Sequence, residues 1–111
     1  MDCIFCKIAA GELPVEPVYR DDDVMVINDI NPMAPHHVLV MPIRHVENVV
    51  ELADTDAQLV GKLFRVAAKM GREQAGGGFR LVVNTGAEGG QTVDHVHVHV
   101  LAGRLMGWPP G

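Results

Sequence analysis

Apolar residues in this chain fall into short runs bounded by turn residues, with one long stretch at helical spacing. Cys3 to Ala10 reads as a short helix, stopped by Gly11 and then Pro14. Val18-Tyr19-Arg20 and Val24-Met25-Val26-Ile27 read as two strands of a hairpin, and Asp21-Asp22-Asp23 between them reads as a solvated turn. Asn31-Pro32 opens a turn that runs to Pro35, and Val38-Leu39-Val40-Met41 is a third strand, closed by Pro42. Thr55-Asp56-Ala57-Gln58 has the form of a capping box. Leu59, Val60, Leu63, Phe64, Ala67 and Met70 follow at helical spacing and are expected in the core, until Gly76-Gly77-Gly78 ends the helix. Phe79 to Val83 is a fourth strand, Asn84 to Thr92 a Gly-rich loop, His95 to Leu101 a fifth strand, and Gly103 to Gly111 a tail. The pattern predicts an α+β fold. It has a mainly antiparallel five-stranded sheet, one long helix and a short N-terminal helix, in a single domain spanning 1–111.

Composition narrows the classes of function. The 111 residues are 48% hydrophobic, which excludes a disordered chain, and the formal net charge is −5. A reader of phosphate backbones should be basic, so nucleic acid is not an expected partner. No apolar run reaches the length of a membrane span, and Met1-Asp2-Cys3 carries no basic start of a secretory signal. The expected address is the cytoplasm, where Cys3 and Cys6 are not expected to form a structural disulfide. What stands out is the six histidines.

His95-Val96-His97-Val98-His99-Val100-Leu101 alternates strictly. Period two sends His95, His97 and His99 to one face, about 7 Å apart, and the valines to the other. Three readings follow from the residues alone. The face is solvated and happens to be histidine; or two of the rings ligate a metal, including as a metal-dependent hydrolase; or an imidazole is a nucleophile. An unperturbed pKa of about 6.5 leaves a lone pair near neutral pH, with the other ring nitrogen held as a donor.

The loop before this strand brings glycines that let backbone N–H groups approach an anion. Asn84, Gly90, Gln91 and the hydroxyl of Thr92 are its candidate donors, a neutral cradle suited to an anion on an acidic protein. It lacks the Gly-Lys-Ser/Thr of a P-loop. Cys3-x-x-Cys6 by itself admits a redox pair, two buried thiols, or half of a zinc site.

The spaced histidines resemble the motif of the histidine triad (HIT) family. Further stretches agree with it: Ile4-Phe5-Cys6-Lys7-Ile8, Asp29-Ile30-Asn31-Pro32-Met33-Ala34-Pro35, His37-Val38-Leu39-Val40-Met41-Pro42, Val83-Asn84-Thr85-Gly86 and Gly89-Gly90-Gln91-Thr92. The tail, Gly103-Arg104-Leu105-Met106-Gly107-Trp108-Pro109-Pro110-Gly111, resembles the Hint branch, the purine nucleoside phosphoramidases. The resemblance covers nearly the whole chain.

It implies a hydrolase that cleaves the P–N bond of purine nucleoside 5′-phosphoramidates. His97 would be the nucleophile, forming a nucleotidyl-histidine that water releases as a nucleoside monophosphate. His99 would hydrogen-bond a phosphate oxygen or the bridging atom, His95 would support the geometry, and His37 would be a further active-site histidine. Asp29 would bind the ribose hydroxyls, although an Asp before such a turn is also a common cap. Ile4, Phe5, Ile8, Ile27 and Ile30 would line the base pocket. By resemblance to bacterial-type members, Cys3, Cys6, His45 and His95 would hold a structural zinc; the chemistry itself would need no cofactor. A homodimer is implied, with Trp108 near the partner's site. Three departures stand out: Thr92 where Ser is usual, His36 before His37, and Gly107 before Trp108. Two other functions compete: hydrolysis of dinucleoside polyphosphates, and a purine nucleotide-binding or scaffolding module with little turnover.

Overall fold

The computed structural model describes residues 2–111. Helix α1 (Ile4–Ala9) leads to strands β1 (Tyr19–Arg20), β2 (Val24–Asn28) and β3 (His36–Pro42), then helices α2 (Val49–Thr55) and α3 (Ala57–Gln74), then strands β4 (Phe79–Val82) and β5 (Val98–Ala102). The strands form one sheet in the order β1-β2-β3-β5-β4, every neighbouring pair antiparallel. The α+β expectation therefore holds.

Parity along the strands sorts the two faces. Even-numbered Val24, Val26, Val38, Val40, Val98 and Val100 are buried with Leu52, Leu59, Leu63, Val66, Ala67 and Met70 under α2 and α3. Odd-numbered Met25, Ile27, Leu39 and Met41 are buried with Cys3, Phe5 and Ile8 of the α1 segment. Each such apolar side chain contributes roughly 1.5–3 kcal/mol on full burial. One face is thus the core under α2 and α3, and the other carries the histidines beside a second apolar cluster against α1.

The structure corrects several boundaries. The fold has three helices among the described residues, because α2 precedes the long one. Asn48 caps α2, its side chain accepting from Glu51 N at 3.0 Å. Thr55 is the end of α2 and not a cap: its hydroxyl donates to Glu51 O at 2.7 Å. Asp56 caps α3 instead, accepting from Leu59 N at 3.1 Å. Phe64, expected inside, is 36% exposed, because the buried stripe runs through Leu59, Leu63, Val66, Ala67 and Met70. Val60 is partly buried against the same core. Pro42 lies within β3, opposite Val24.

The fifth strand starts at Val98, not His95, and runs on to Ala102. Before it, Val96 N donates to Val46 O at 2.8 Å, outside the strand ladder. Val96 is nonetheless buried with Val98 and Val100, so the alternation of faces carries through the whole histidine segment. No helix among the described residues is long and apolar enough to cross a membrane.

Candidate active site

Antiparallel register gathers the chemistry. Leu39 pairs with His99 and His37 with Leu101, so His37 and His99 are diagonal neighbours on one face. Asp29 follows β2 and its N–H donates to His37 O at 3.0 Å, which sets it beside His37. All of these are odd-numbered, as are His95 and His97. The face buries His37, His95 and His97, which are 6%, 0% and 6% exposed, while His99 is only partly covered.

The hydrogen bonds assign a role to each ring nitrogen. His97 Nδ1 lies 2.8 Å from His95 O, a carbonyl that can only accept. The proton of His97 is therefore on Nδ1, and Nε2 keeps the lone pair. His37 Nδ1 accepts from Met33 N at 3.0 Å, so the His37 proton is on Nε2. That Nε2 lies 2.9 Å from His99 Nδ1 and 3.4 Å from Asp29 Oδ2. His99 Nδ1 is thus an acceptor, and its own proton sits on Nε2. Burial, then the neighbouring His97 and His37, pull His99 down to about 4, so it stays neutral at pH 7. The row presents a basic nitrogen on His97 beside a donor on His99, with ring centroids 5.0 Å apart. Phe5 stands edge-on to His97 at 5.1 Å and to His95 at 5.7 Å, walling both rings with the α1 segment.

His95 faces elsewhere. Its Nδ1 lies 3.4 Å from Cys3 Sγ and 3.6 Å from Cys6 Sγ, and His45 Nδ1 lies 3.5 Å from Cys6 Sγ. A tetrahedral zinc with bonds near 2.3 Å to sulfur and 2.0–2.1 Å to nitrogen sets sulfur–nitrogen edges of about 3.6 Å. The four side chains fit such an ion, their ligand atoms all lying within 4.8 Å of one another. His95 Nε2 is 2.8 Å from Pro42 O, the outer hydrogen bond that fixes the tautomer of a ligating imidazole. Burial, then the adjoining Cys3, push the Cys6 thiol up to about 11.

Asp29, His37 and His99 also bring ligand atoms within 4.8 Å. Their chemistry does not suit a metal. The Met33 N–H occupies His37 Nδ1 and so leaves Nε2 protonated, without a lone pair to give. This group is a hydrogen-bond chain.

The loop departs from the expected cradle. Gly90 N donates to Ala87 O at 3.1 Å and Gln91 N to Gly86 O at 3.0 Å. The Gln91 amide is spent on bracing: Oε1 accepts from Gly86 N at 3.0 Å, and Nε2 donates to Glu47 O at 2.7 Å and Val93 O at 3.1 Å. Gly90 and Gln91 therefore shape the loop rather than offering idle donors. Asn84 is half-buried, and exposed Thr92 lines a hollow with Cys3, Ile4, His45 and Asp94 on the cysteine side. Of the expected base-pocket residues, Phe5, Ile8 and Ile27 are buried together, whereas Ile4 and Ile30 are 49% and 87% exposed. Trp108 is exposed on the tail. A separate hollow, lined by Asp22, Arg44, Asp56, Lys62 and Arg65 at the α3 side, contains none of the histidines.

Sequence reasoning missed Met33 and Pro42, because both act through the main chain, which side-chain motifs do not report.

The comparisons agree with this geometry. Residues 2–107 match the family model described as "Scavenger mRNA decapping enzyme C-term binding". A HIT-like protein of Synechococcus elongatus is 43% identical over 111 residues, covering 99% of this chain and 97% of that one. A HIT family hydrolase from Legionella pneumophila superposes with a TM-score of 0.93 at 41% identity, covering 99% of this chain and 100% of that one. A Zn-bound histidine triad family protein from Mycobacterium smegmatis superposes at 0.82 with 33% identity, over 94% of this chain and 76% of that one. With the histidine row in place and the match running through almost every residue, this chain belongs to the histidine triad family.

Proposed function

We propose that this chain hydrolyses the P–N bond of purine nucleoside 5′-phosphoramidates through a nucleotidyl-His97 intermediate. The observation that carries the reading is the division of labour between adjacent rings. His97 Nδ1 is tied to the His95 carbonyl, which leaves Nε2 to attack, while His99 keeps its proton on Nε2. His97 Nε2 forms a bond to the α-phosphorus as the P–N bond breaks. An amide anion is a poor leaving group, so the His99 Nε2 proton goes to the departing nitrogen. Water then cleaves the phosphorus–His97 bond, giving its hydroxyl to phosphorus and returning a proton to His99 Nε2, which releases the nucleoside monophosphate and restores both rings.

Asp29 is suited to the ribose hydroxyls: Oδ1 is held by Asn31 N at 2.8 Å, and Oδ2 is turned toward His37. Phe5, Ile8 and Ile27 give an apolar wall for a base, with Ile4 and Ile30 as its rim. Such a wall favours purines loosely and discriminates poorly between them. Asn84 and Thr92 are the remaining loop donors to phosphate. Cys3, Cys6, His45 and His95 would hold a zinc ion that ties α1 and the loop after β3 behind the nucleophile. Its role there is structural, and it leaves the reaction to the imidazoles.

The partner in assembly is a second copy of this chain. Exposed Phe64, Phe79, Leu105 and Trp108 are the large apolar side chains that such a copy would cover. Trp108 would then bear on leaving-group choice.

The test is mass spectrometry of acid-labile adducts after mixing with an adenosine phosphoramidate. The parent carries one nucleotidyl group on the peptide containing His97. His97→Asn carries none, loses turnover and still binds the nucleoside monophosphate. Turnover at the parent rate in that variant defeats the mechanism.

A further inference from the structure

The tail reaches back to the histidine chain. His36 of β3 pairs with Ala102 of β5, so the residues just after β5 run alongside those just before β3. Gly103 makes the turn at φ +99, and a Cβ there would stand 2.9 Å from Pro35 Cβ, so the position demands glycine. Arg104 is thereby brought over the turn, and its Nε donates to Met33 O at 3.0 Å while Nη1 donates to Leu105 O at 3.1 Å.

Met33 is the residue whose N–H holds His37 Nδ1 as an acceptor. The links run in series: Arg104 to Met33 O, Met33 N–H to His37 Nδ1, and His37 Nε2–H to His99 Nδ1. We propose that Arg104 is a positioning residue which, by clamping the Met33 carbonyl, fixes the turn that sets the His37 and His99 tautomers.

The physical logic is local. The Met33 N–H, at 3.0 Å, engages His37 Nδ1 directly, and Asp29 Oδ2 favours the same tautomer only through a longer 3.4 Å approach to Nε2. If the turn relaxes, that N–H leaves Nδ1, and only the longer Asp29 contact still favours a proton on Nε2, so the second tautomer becomes populated. His99 then loses its fixed donor and its own Nε2–H becomes one tautomer of two. His97 is insulated, because its Nδ1 is anchored on the His95 carbonyl. A second tail contact, Arg80 Nη2 to Gly107 O at 2.8 Å, holds the tail without touching the turn and serves as the control.

The tautomer part of this inference stands on geometry alone, and its effect on turnover rests on the reading of His97 and His99 given above. The experiment is long-range proton–nitrogen NMR of the imidazoles in the full-length 15N-labelled protein without substrate, on Arg104→Ala, Arg104→Lys and Arg80→Ala. The expected result is a single tautomer at His37, His97 and His99 in the parent, and mixed tautomers at His37 and His99 only in Arg104→Ala. Arg104→Lys, which keeps a donor, restores most of the single form, and Arg80→Ala matches the parent. On a phosphoramidate substrate, kcat of Arg104→Ala falls roughly three- to tenfold, the loss of one exposed charged hydrogen bond, with KM little changed. Unchanged tautomers in Arg104→Ala overturn the proposal, as does an equal disturbance in Arg80→Ala or no rescue by lysine. Altered tautomers with no adduct on His97 in the parent would instead defeat the reading of the nucleophile and leave the clamp intact.

Discussion

His99 gives a prediction whose size and sign follow from its surroundings. It is half-buried, with His97 and His37 against it and Asp29 nearby, and its pKa falls from the usual 6.5 to about 4. Burial is the largest cause, the two histidines add to it, and Asp29 opposes them. Above about pH 6.5 this ring is neutral folded or unfolded, and it makes no difference to stability. Between about 6.5 and 4 the unfolded chain takes up a proton that the folded one refuses, so stability falls as the pH falls. Below about 4 both forms are protonated and the loss levels off. At about 1.4 kcal/mol per unit, the full span has a ceiling of about 3.5 kcal/mol. Partial solvent access reduces that to about 1–2 kcal/mol. The assay is urea unfolding at about pH 8 and about pH 5, comparing the parent with His99→Gln. Burial also pulls His95 down, but it is present in both proteins and cancels in the difference. Because a pH of about 5 lies only part of the way down to about 4, the parent should lose about 0.5–1 kcal/mol more than the variant between the two conditions. Parallel losses would refute the burial argument, and a larger loss in His99→Gln would reverse it.

Three further outcomes are expected. Protein purified without chelator should carry close to one zinc per chain by metal analysis, and Cys3→Ser with Cys6→Ser should carry far less; equal zinc in both removes the Cys3, Cys6, His45 and His95 site. Asp21 accepts from Tyr19 OH at 2.7 Å, Asp23 N at 2.8 Å, Val24 N at 2.9 Å and Lys62 Nζ at 3.2 Å. Burial pushes its carboxyl up, but these donors together outweigh it and hold the pKa well below the usual carboxylate range, so its stabilisation is present at neutral pH and is lost as the pH falls below about 4. Asp21→Asn should therefore cost about 1–3 kcal/mol by thermal unfolding at neutral pH, and less in acid. Removing residues 108–111 should alter leaving-group preference across a series of phosphoramidates more than it alters the melting temperature; an unchanged preference discards a role for Trp108.

The odd-numbered histidines were legible because strand parity is a property of spacing alone, and it survives even where the ladder does not reach. The start of β5 was not legible, since it depends on Val46 O capturing Val96 N from a distant part of the chain. Helix α2 was missed because its seven residues offer too little periodicity, and the Thr55–Gln58 pattern drew the boundary to the wrong place. Phe64 shows the limit of counting apolar residues: one position off the buried stripe, a helix turns its side chain outward. Gln91 illustrates a different limit. A polar side chain in a Gly-rich loop suits a phosphate as well as it suits the loop's own carbonyls, and only the folded chain shows which it meets.

The group that orients His97 is the main-chain carbonyl of its neighbour, His95. No exchange of one side chain for another can delete a carbonyl. Drift in the sequence can therefore strip the cysteines, the ring of His95 or the tail, while the attacking nitrogen still inherits its aim from the polypeptide itself. The proton-carrying partner has no such insurance, because every link behind His99 runs through an imidazole that a single codon can erase.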